Sequence, residues 1–205
     1  MESFDSRAKD YDTDKRVERA RAISGEIRAH VAGAGGSALE YGCGTGLVGL
    51  QLADAFASLM LVDSSPGMIE QVEQKLREIN DPRISAMCCD FTEGVPQGLR
   101  ADYIFLSLVL HHIKDTTGIL RRFYGLLNDG GRLLIVDLDP DDGSFHAKYP
   151  DFDGHNGFEQ SALVQMAVEA GFARADAKTF YRDIKTVDGR EAPYSLFILD
   201  AVKHS

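Results

Sequence analysis

Residues 39–46, which read LEYGCGTG, constrain the fold more than any other part of the chain. The segment begins as a β-competent run, continues into three alternating glycines and is followed by an apolar stretch that suits a helix. Glycine permits a tight turn and lets a ligand lie against bare backbone, while the start of the helix offers unpaired N–H groups. This pattern is typical of the first unit of a parallel α/β sheet that binds a nucleoside-containing cofactor.

The rest of the chain alternates between helical and strand-like patterns, which favours a mostly parallel sheet covered by helices. Apolar residues at helical spacing predict helices over residues 15–32, 47–56, 65–79, 115–127 and 158–170. Apolar and β-branched runs predict strands over residues 37–41, 58–62, 83–88, 102–110, 132–138, 174–184 and 194–202. The last two strands are expected to pair as a hairpin. Since ligands bind beyond the carboxyl ends of such strands, the residues that follow strands one to five are the functional candidates.

Length, charge and cysteine content limit the organisation and the partners. A chain of 205 residues with 44% hydrophobic and 26% charged residues is expected to form one domain over residues 1–205. A formal charge of −10 disfavours a nucleic-acid partner. No apolar run is long enough to span a membrane and the charged first residues do not suit a signal peptide, so a cytoplasmic location is expected. Three cysteines form neither a disulfide framework nor a spaced zinc motif.

The acidic residues around the glycine turn indicate which cofactor it holds. Asp63 ends the second predicted strand 21 residues beyond Gly42, the spacing of a carboxylate that accepts ribose hydroxyl hydrogen bonds. A dinucleotide-binding turn would carry glycine or alanine at the position of Leu47, and here the third glycine comes one residue early, at Gly46. The carboxylate of Glu40 suits a cationic amine or sulfonium and repels a pyrophosphate. These features favour S-adenosylmethionine over NAD.

Five segments together resemble the class I S-adenosylmethionine-dependent methyltransferases, in particular a small-molecule branch with a Leu-His-His segment after strand four. They are LEYGCGTG (39–46), LVDSSPGMIE (61–70), CCDF (88–91), ADYIFLSLVLHHI (101–113) and LLNDGGRLLIVD (126–137). The resemblance implies a Rossmann-like, doubly wound sheet of seven strands in the order 3-2-1-4-5-7-6, with strand 7 antiparallel. It also implies S-adenosylmethionine as the cofactor and a small molecule as the methyl acceptor.

The resemblance implies a part in cofactor binding for residues at five strand ends. The methionine part would meet Glu40, Gly42 and Gly44, with Cys43 in a variable slot of the same turn. The ribose would meet Asp63, and the adenine Ser64, Met68, Asp90 and Phe91. Ser107 and Leu108 would form the wall beside the sulfonium, and Tyr11 would close over the methyl group. Residues 1–36 would then lie over the cofactor site, with residues 139–157 as a lid or an acceptor-site loop.

Several of these residues also have purely structural interpretations. Asp63 could cap the following helix, Asp90 could form a turn, and Met68 could belong to the core. His111 and His112 would point to opposite faces if strand four continued through them, and could not then share one metal ion or one substrate. No metal site is therefore expected. His112 is the candidate for the pocket, with His155 the next candidate catalytic residue.

Methyl transfer from a sulfonium needs alignment and water exclusion more than acid–base chemistry, so a histidine base is optional. Two other functions compete with this interpretation. One is an NAD(P)-dependent oxidoreductase, which the strand–helix–strand unit and Asp63 favour and Leu47 and Glu40 oppose. The other is a non-catalytic cofactor-binding module, which the intact glycines and Asp63 disfavour. The acceptor and the oligomeric state are not encoded in any recognisable motif.

Overall fold

The computed structural model describes residues 8, 11–31, 33, 35–149, 151–187 and 189–204. Strands and helices alternate through most of this part of the chain. The strands are β1 (Ser37–Tyr41), β2 (Ser58–Asp63), β3 (Ile84–Cys88), β4 (Ala101–Ser107), β5 (Leu127–Leu138), β6 (Arg174–Val187) and β7 (Arg190–Val202). The α-helices are α1 (Asp14–His30), α2 (Pro66–Ile79), α3 (Thr116–Leu126) and α4 (Gln160–Ala170). Short 3₁₀ helices cover Gly49–Ala55, Leu110–His112 and Ser144–His146.

The strands form one sheet in the order β3-β2-β1-β4-β5-β7-β6. The first five strands along the chain pair in parallel, whereas β7 is antiparallel to both β5 and β6. This confirms the strand order and the antiparallel strand 7 that the resemblance implied. The parallel strands end at one edge of the sheet, where the residues following β1, β2, β3, β4 and β5 come together.

Helices cover both faces of the sheet, as alternate side chains of β4 illustrate. Ile104 packs into a core with Phe123 of α3 and Leu163 of α4, whereas Phe105 packs on the opposite face with Ile27 of α1. Both β4 side chains are fully buried. The β4 sequence is one apolar run because helices cover both faces of this central parallel strand.

Several predicted boundaries differ from the structure, and one difference matters for function. Strand β4 ends at Ser107 rather than at residue 110, because Leu108 adopts a left-handed backbone with φ of 57°. Its N–H donates to the Val136 carbonyl at 2.8 Å, and the chain then turns into the 3₁₀ helix Leu110–His112. The predicted helix over residues 47–56 is a 3₁₀ helix over Gly49–Ala55. Strand β5 begins five residues earlier than predicted, at Leu127.

Helix α2 follows its sequence signals closely. The Ser65 hydroxyl accepts a hydrogen bond from the Met68 N–H at 3.2 Å, Pro66 is the first helical residue, and Asn80 ends the helix with φ of 51°. Among the described residues, no helix is long and apolar enough to cross a membrane.

Candidate active site

The glycine turn after β1 has a conformation that other residues would strain. Gly42 has φ of 69°, and a Cβ atom there would overlap the side chain of Val109. Gly44 has φ of 54°, and its open side faces the ring of Tyr11, whose Cε1 lies 3.7 Å from the position of an added Cβ. Tyr11 and the backbone at Gly44 thus stand opposite each other across a narrow space.

Asp63 connects this turn to the start of α2. Its Oδ2 accepts a hydrogen bond from the Gly44 N–H at 2.7 Å, and its Oδ1 accepts one from the Ser65 N–H at 2.9 Å. The carboxylate therefore bonds to the backbone at the start of α2, which is its structural role, and it also lines the adjoining cavity. The two interpretations of Asp63 are compatible because each carboxylate oxygen has more than one lone pair.

A cavity of about 520 Å³ opens along the carboxyl ends of β1 to β4. Its volume is within the range of small-molecule and cofactor sites, about 300–1,000 Å³. Most of the residues expected to bind the cofactor line it: Tyr11, Gly42, Gly44, Asp63, Ser64, Met68, Asp90, Ser107 and Leu108. We call it the cofactor cavity.

Asp90 and Phe91 differ in their relation to this cavity. Asp90 lines it, while its Oδ1 accepts hydrogen bonds from the Thr92 N–H and hydroxyl, both at 2.7 Å. Phe91 is fully buried and its ring stacks on Tyr41, with ring centroids 4.8 Å apart. The expectation that the Phe91 ring lies on the adenine needs correction, because that ring belongs to the core and Tyr41 lines the cavity.

Glu40 and Cys43 lie behind the glycine turn. They line a small pocket of about 60 Å³ that shares Tyr11, Gly42 and Gly44 with the cofactor cavity. Glu40 is 1% exposed, and its Oε2 accepts a hydrogen bond from the Gly49 N–H at 3.0 Å. Burial, with a smaller contribution from the Asp63 charge, raises the pKa of Glu40 to about 8. Burial also raises the pKa of the Cys43 thiol well above its ordinary value, which disfavours thiolate chemistry there.

The segment before α1 is attached to the glycine turn through Asp12. The Thr45 hydroxyl donates to Asp12, and the Lys75 ammonium lies 2.7 Å from the same carboxylate and 2.7 Å from the Thr45 carbonyl. Arg16 holds the neighbouring residue, because its guanidinium lies 4.1 Å from the centre of the Tyr11 ring and donates to the Tyr11 carbonyl. These contacts place Tyr11 over the cofactor cavity. Residues 1–7, 9–10, 32 and 34 of the predicted leading segment lie outside the described residues.

A second cavity of about 350 Å³ adjoins the first and shares Tyr11, Leu108 and His112 with it. We call it the acceptor cavity. Four aromatic side chains of the connection between β5 and α4 form one wall: Phe145, His146, Tyr149 and Phe152. Residues 139–157 thus supply a wall of the site, and a lid movement of this segment stays a prediction.

Four cationic side chains, which we call the cationic wall, also line the acceptor cavity. Lys15, Arg16, Arg19 and Lys185 line it, whereas Asp183 is the one carboxylate among the described lining residues. The Lys185 ammonium donates to the Phe145 carbonyl at 2.6 Å. Burial, followed by the charges of Arg19 and Arg16, lowers the pKa of Lys185 to about 8. An anion in this cavity would relieve the repulsion between these like charges.

The two adjacent histidines do not point to opposite faces, because β4 has already ended. Their ring centroids are 4.1 Å apart in the 3₁₀ helix Leu110–His112, and both rings line the acceptor cavity. His111 is 2% exposed and its Nδ1 donates to Asp137 Oδ1 at 2.6 Å. His112 is exposed and lines both cavities. The argument that the pair cannot share one ligand is therefore wrong.

His155 has a structural position instead of the expected catalytic one. It lines neither cavity; its Nε2 donates to the Ile113 carbonyl at 3.0 Å and its N–H donates to the His111 carbonyl at 2.8 Å. These bonds fasten the 139–157 connection to the histidine turn. The candidate catalytic role of His155 is corrected accordingly, because its ring nitrogen is engaged away from the cavities.

Sequence reasoning missed most of the acceptor cavity. Its residues come from α1, from the 139–157 connection and from β6 and β7, and no local motif links them. The positions of Arg16 and Arg19 on α1 could have indicated a cationic helix face, since residues three apart on a helix share a face. No sequence pattern indicated that His146 and Lys185 belong to the cavity.

A cavity of about 520 Å³ beside a glycine turn and an acidic strand end, on a sheet of this order, fits a Rossmann-like S-adenosylmethionine-binding domain. Comparison with known proteins agrees. A family described as "Methyltransferase domain" matches residues 39–133. An uncharacterized methyltransferase of Schizosaccharomyces pombe is 28% identical over 156 residues, which cover 69% of this chain and 55% of the relative. A malonyl-[acyl-carrier protein] O-methyltransferase of Ilyobacter polytropus is 29% identical over 136 residues, 65% of this chain and 50% of that protein.

Solved structures share the fold. The Haemonchus contortus phosphoethanolamine N-methyltransferase 2, in complex with phosphomonomethylethanolamine and S-adenosylhomocysteine, superposes with a TM-score of 0.74 at 18% identity, covering 89% of this chain and 52% of that one. The chain spans about half the length of the curated relatives it matches. Residues 39–133 are similar to a methyltransferase domain, and the sheet has the fold of solved methyltransferase structures. The narrower branch with a Leu-His-His segment stays a prediction.

Replacing Asp63 by alanine is expected to weaken S-adenosylhomocysteine binding at least tenfold. Hydrogen bonds to a charged group contribute about 1.5–3 kcal/mol each, and about 1.4 kcal/mol corresponds to a factor of ten. Isothermal titration calorimetry measures the loss. The matched control is Ser65→Ala, which removes the hydroxyl that caps α2 and keeps the carboxylate. Equal affinities of the Asp63→Ala variant and the wild type would limit Asp63 to a structural role.

Glu40→Gln is expected to change how stability depends on pH. The pKa of Glu40 is about 8 in the folded protein and 4.5 as the ordinary value, so the folded state binds the extra proton between these values. Protonation of Glu40 therefore stabilises the folded state. Its contribution to the free energy of unfolding is complete below about pH 4.5 and is lost as the pH rises through about 8. Thermal denaturation between pH 5 and about 8.5 should therefore show the Gln variant gaining stability relative to the wild type. The exposed Glu191→Gln serves as control; parallel curves for wild type and Glu40→Gln would contradict this assignment.

Proposed function

We propose that the chain transfers a methyl group from S-adenosylmethionine to a small acceptor that carries a carboxylate or a phosphate group. The observation that carries the proposal is that two adjoining cavities differ in the residues and charges that line them. The cofactor cavity follows the glycine turn and Asp63, and the acceptor cavity has a cationic wall. They meet at Tyr11, Leu108 and His112, which is where the methyl group would pass.

The residues of the cofactor cavity fit S-adenosylmethionine. The glycine backbone leaves open space opposite Tyr11, and Asp63 presents a carboxylate suited to ribose hydroxyls. Asp90 and Met68 offer an acceptor and an apolar contact for the adenine. In the pocket behind the turn, the carboxyl of Glu40 would gain a cationic partner from the methionine part, which favours its charged form.

When bound, the cofactor supplies a methyl group that its cationic sulfur makes electrophilic. The chain has to align the acceptor with that group and to exclude water. Tyr11 and Leu108 are the apolar parts of the junction, and the positive φ of Leu108 directs the chain so that its side chain separates the two cavities. Such a strained non-glycine conformation, which costs about 1–3 kcal/mol, is commonly retained at functional sites.

His112 is the candidate to accept the proton that an oxygen or nitrogen acceptor has to lose. Its ring lies at the junction, and histidine is the side chain whose ordinary pKa permits both protonation states near neutral pH. His111 is the positioning partner, because Asp137 holds its ring beside that of His112. An acceptor that is already anionic at the reacting atom would need no base.

The charge of the acceptor cavity supports an anionic acceptor. The whole chain carries −10, yet this cavity gathers four cationic side chains around one carboxylate. Local fields of this kind raise the concentration of anions at a cleft. The names of the relatives agree in chemistry, since malonyl groups carry a carboxylate and phosphomonomethylethanolamine carries a phosphate. The cytoplasmic location and the exclusion of nucleic acid stay predictions.

Ligand stabilisation tests the choice of cofactor. S-adenosylhomocysteine at one hundred times its dissociation constant is expected to stabilise the fold by about 2.7 kcal/mol, whereas NAD at the same concentration should have no effect. A thermal-shift assay measures both. Stabilisation by NAD alone would overturn the proposal in favour of the oxidoreductase alternative, and binding of S-adenosylhomocysteine without turnover on any acceptor would favour a non-catalytic module.

Lys185→Met tests the acceptor class. With a panel of labelled-methyl transfer reactions on malonate, a phosphomonoester and their neutral ester counterparts, we expect turnover of the anionic members. Loss of one charged hydrogen bond should raise the acceptor KM about ten- to hundredfold and leave the KM for the cofactor unchanged. Lys178→Met is the control, because Lys178 pairs with Glu26 away from both cavities. Preference for the neutral esters would contradict the anionic acceptor.

A further inference from the structure

The acceptor cavity contains three histidines that come together from two separate 3₁₀ helices. One ring nitrogen from each of His111, His112 and His146 lies within 4.8 Å of the other two. His111 and His112 belong to the helix Leu110–His112 and His146 to the helix Ser144–His146. Imidazole nitrogen is a preferred ligand of zinc and other divalent transition metals.

His111 is oriented in the way that metal-binding histidines are. Its Nδ1 donates to Asp137 Oδ1 at 2.6 Å, which leaves Nε2 with a lone pair available for a ligand. Asp137 is itself held, because its carboxylate accepts hydrogen bonds from the backbone N–H groups of His111 and Leu138 at 3.2 and 2.8 Å. A buried carboxylate behind a histidine fixes both the tautomer and the direction of the ring.

His146 adds an independent observation. It is 7% exposed, lines the acceptor cavity and stacks on Phe152 with ring centroids 3.7 Å apart. Its Nδ1 is buried without a hydrogen-bond partner among the described residues. A buried nitrogen without a partner is costly, and a bound ion would satisfy it.

We propose that His111, His112 and His146 bind one divalent transition metal ion of the zinc class, with a fourth coordination position open to the acceptor cavity. Nitrogen ligands of a tetrahedral ion lie about 3.3 Å apart, so the rings have to draw together. His112 is the exposed member of the set.

The charges around the three histidines favour an anion at the fourth coordination position of the ion. Lys185 and Arg16 line the same cavity and oppose a bare cation, while the carboxylates of Asp137 and Asp141 offset part of that repulsion. An anion on the open position would neutralise both the ion and the cationic wall. The role of the ion as a holder of the acceptor rests on the proposed function, whereas its binding does not. With the ion bound, His112 would be a ligand and would no longer accept a proton, so the acceptor held there would be one that is already anionic at its reacting atom and needs no base.

Titration with Co²⁺ tests the site without cofactor or acceptor. Tag-free protein is first freed of metal with a chelator, and binding is followed by calorimetry and by the visible absorption of cobalt. We expect one ion per chain, an intense spectrum of tetrahedral type, and displacement of cobalt by Zn²⁺. Sulfur-to-cobalt charge transfer in the near ultraviolet would instead indicate binding at the thiols of Cys88 and Cys89, and would overturn the proposal.

Variants assign the ion to the three histidines. His112→Ala and His146→Ala are each expected to weaken Co²⁺ binding at least tenfold, and Asp137→Asn about ten- to hundredfold through the orientation of His111. His204→Ala is the control, an exposed histidine outside the cluster, and should bind as the wild type does. Melting temperatures show that each variant is folded; the exposed His112 provides a variant that leaves the core intact.

Two results would overturn the site. One is the lack of stoichiometric Co²⁺ or Zn²⁺ binding by the wild type. The other is equal binding by the wild type and a folded His112→Ala variant. Since no methyl transfer is measured, failure of the proposed acceptor class leaves this result unaffected, and loss of metal binding leaves the test of S-adenosylhomocysteine binding intact.

Discussion

The carboxylate of Asp63 accepts hydrogen bonds from the Gly44 and Ser65 N–H groups and thereby joins the ends of β1 and β2. The glycine turn and the start of α2 are held in one arrangement by this single side chain. The cofactor cavity follows directly, because its wall consists of the same backbone. Thr45 and Lys75 extend the arrangement by holding Asp12, which brings Tyr11 over the turn. The site is thus built on the sheet edge and is completed by the segment before α1.

Electrostatics divides this site into two parts. Behind the glycine turn, burial raises the pKa of Glu40 to about 8, and a cationic ligand there would favour its charged form. In the acceptor cavity, burial and neighbouring cations weaken the protonation of Lys185 until an anion arrives. Each cavity therefore has an unsatisfied charge preference, of opposite sign. A positively charged donor and a negatively charged acceptor would be drawn to adjacent places, which suits a transfer between them.

The left-handed backbone at Leu108 connects the fold to the chemistry. It ends β4 and turns the chain into the 3₁₀ helix that holds His111 and His112 side by side. Strand alternation would have separated those rings. Because Leu108 also lines both cavities, one residue with a positive φ lies at their junction and directly before the turn that carries the histidines.

Local signals in the sequence were sufficient for the sheet edge. The glycine spacing, Asp63, the cap of α2 and the apolar run of β4 are each encoded within a few neighbouring residues, and the resemblance supplied the strand order. Such local signals could not predict the direction in which individual side chains point. Phe91 points into the core, His155 fastens a loop, and the rings of His111 and His112 meet, because packing between distant segments decides where each side chain lies.

The sequence by itself determined the class of fold and the residues that meet around the glycine turn, since these depend on short-range backbone requirements. Only the tertiary structure decided the second cavity, which we propose to hold the acceptor. Arg16, His146 and Lys185 are far apart in the chain, and the folding of α1, β6 and the 139–157 connection against one sheet edge brings them into one cavity. Their shared charge and their available nitrogen atoms are properties of that assembly, and no segment of the chain carries them alone.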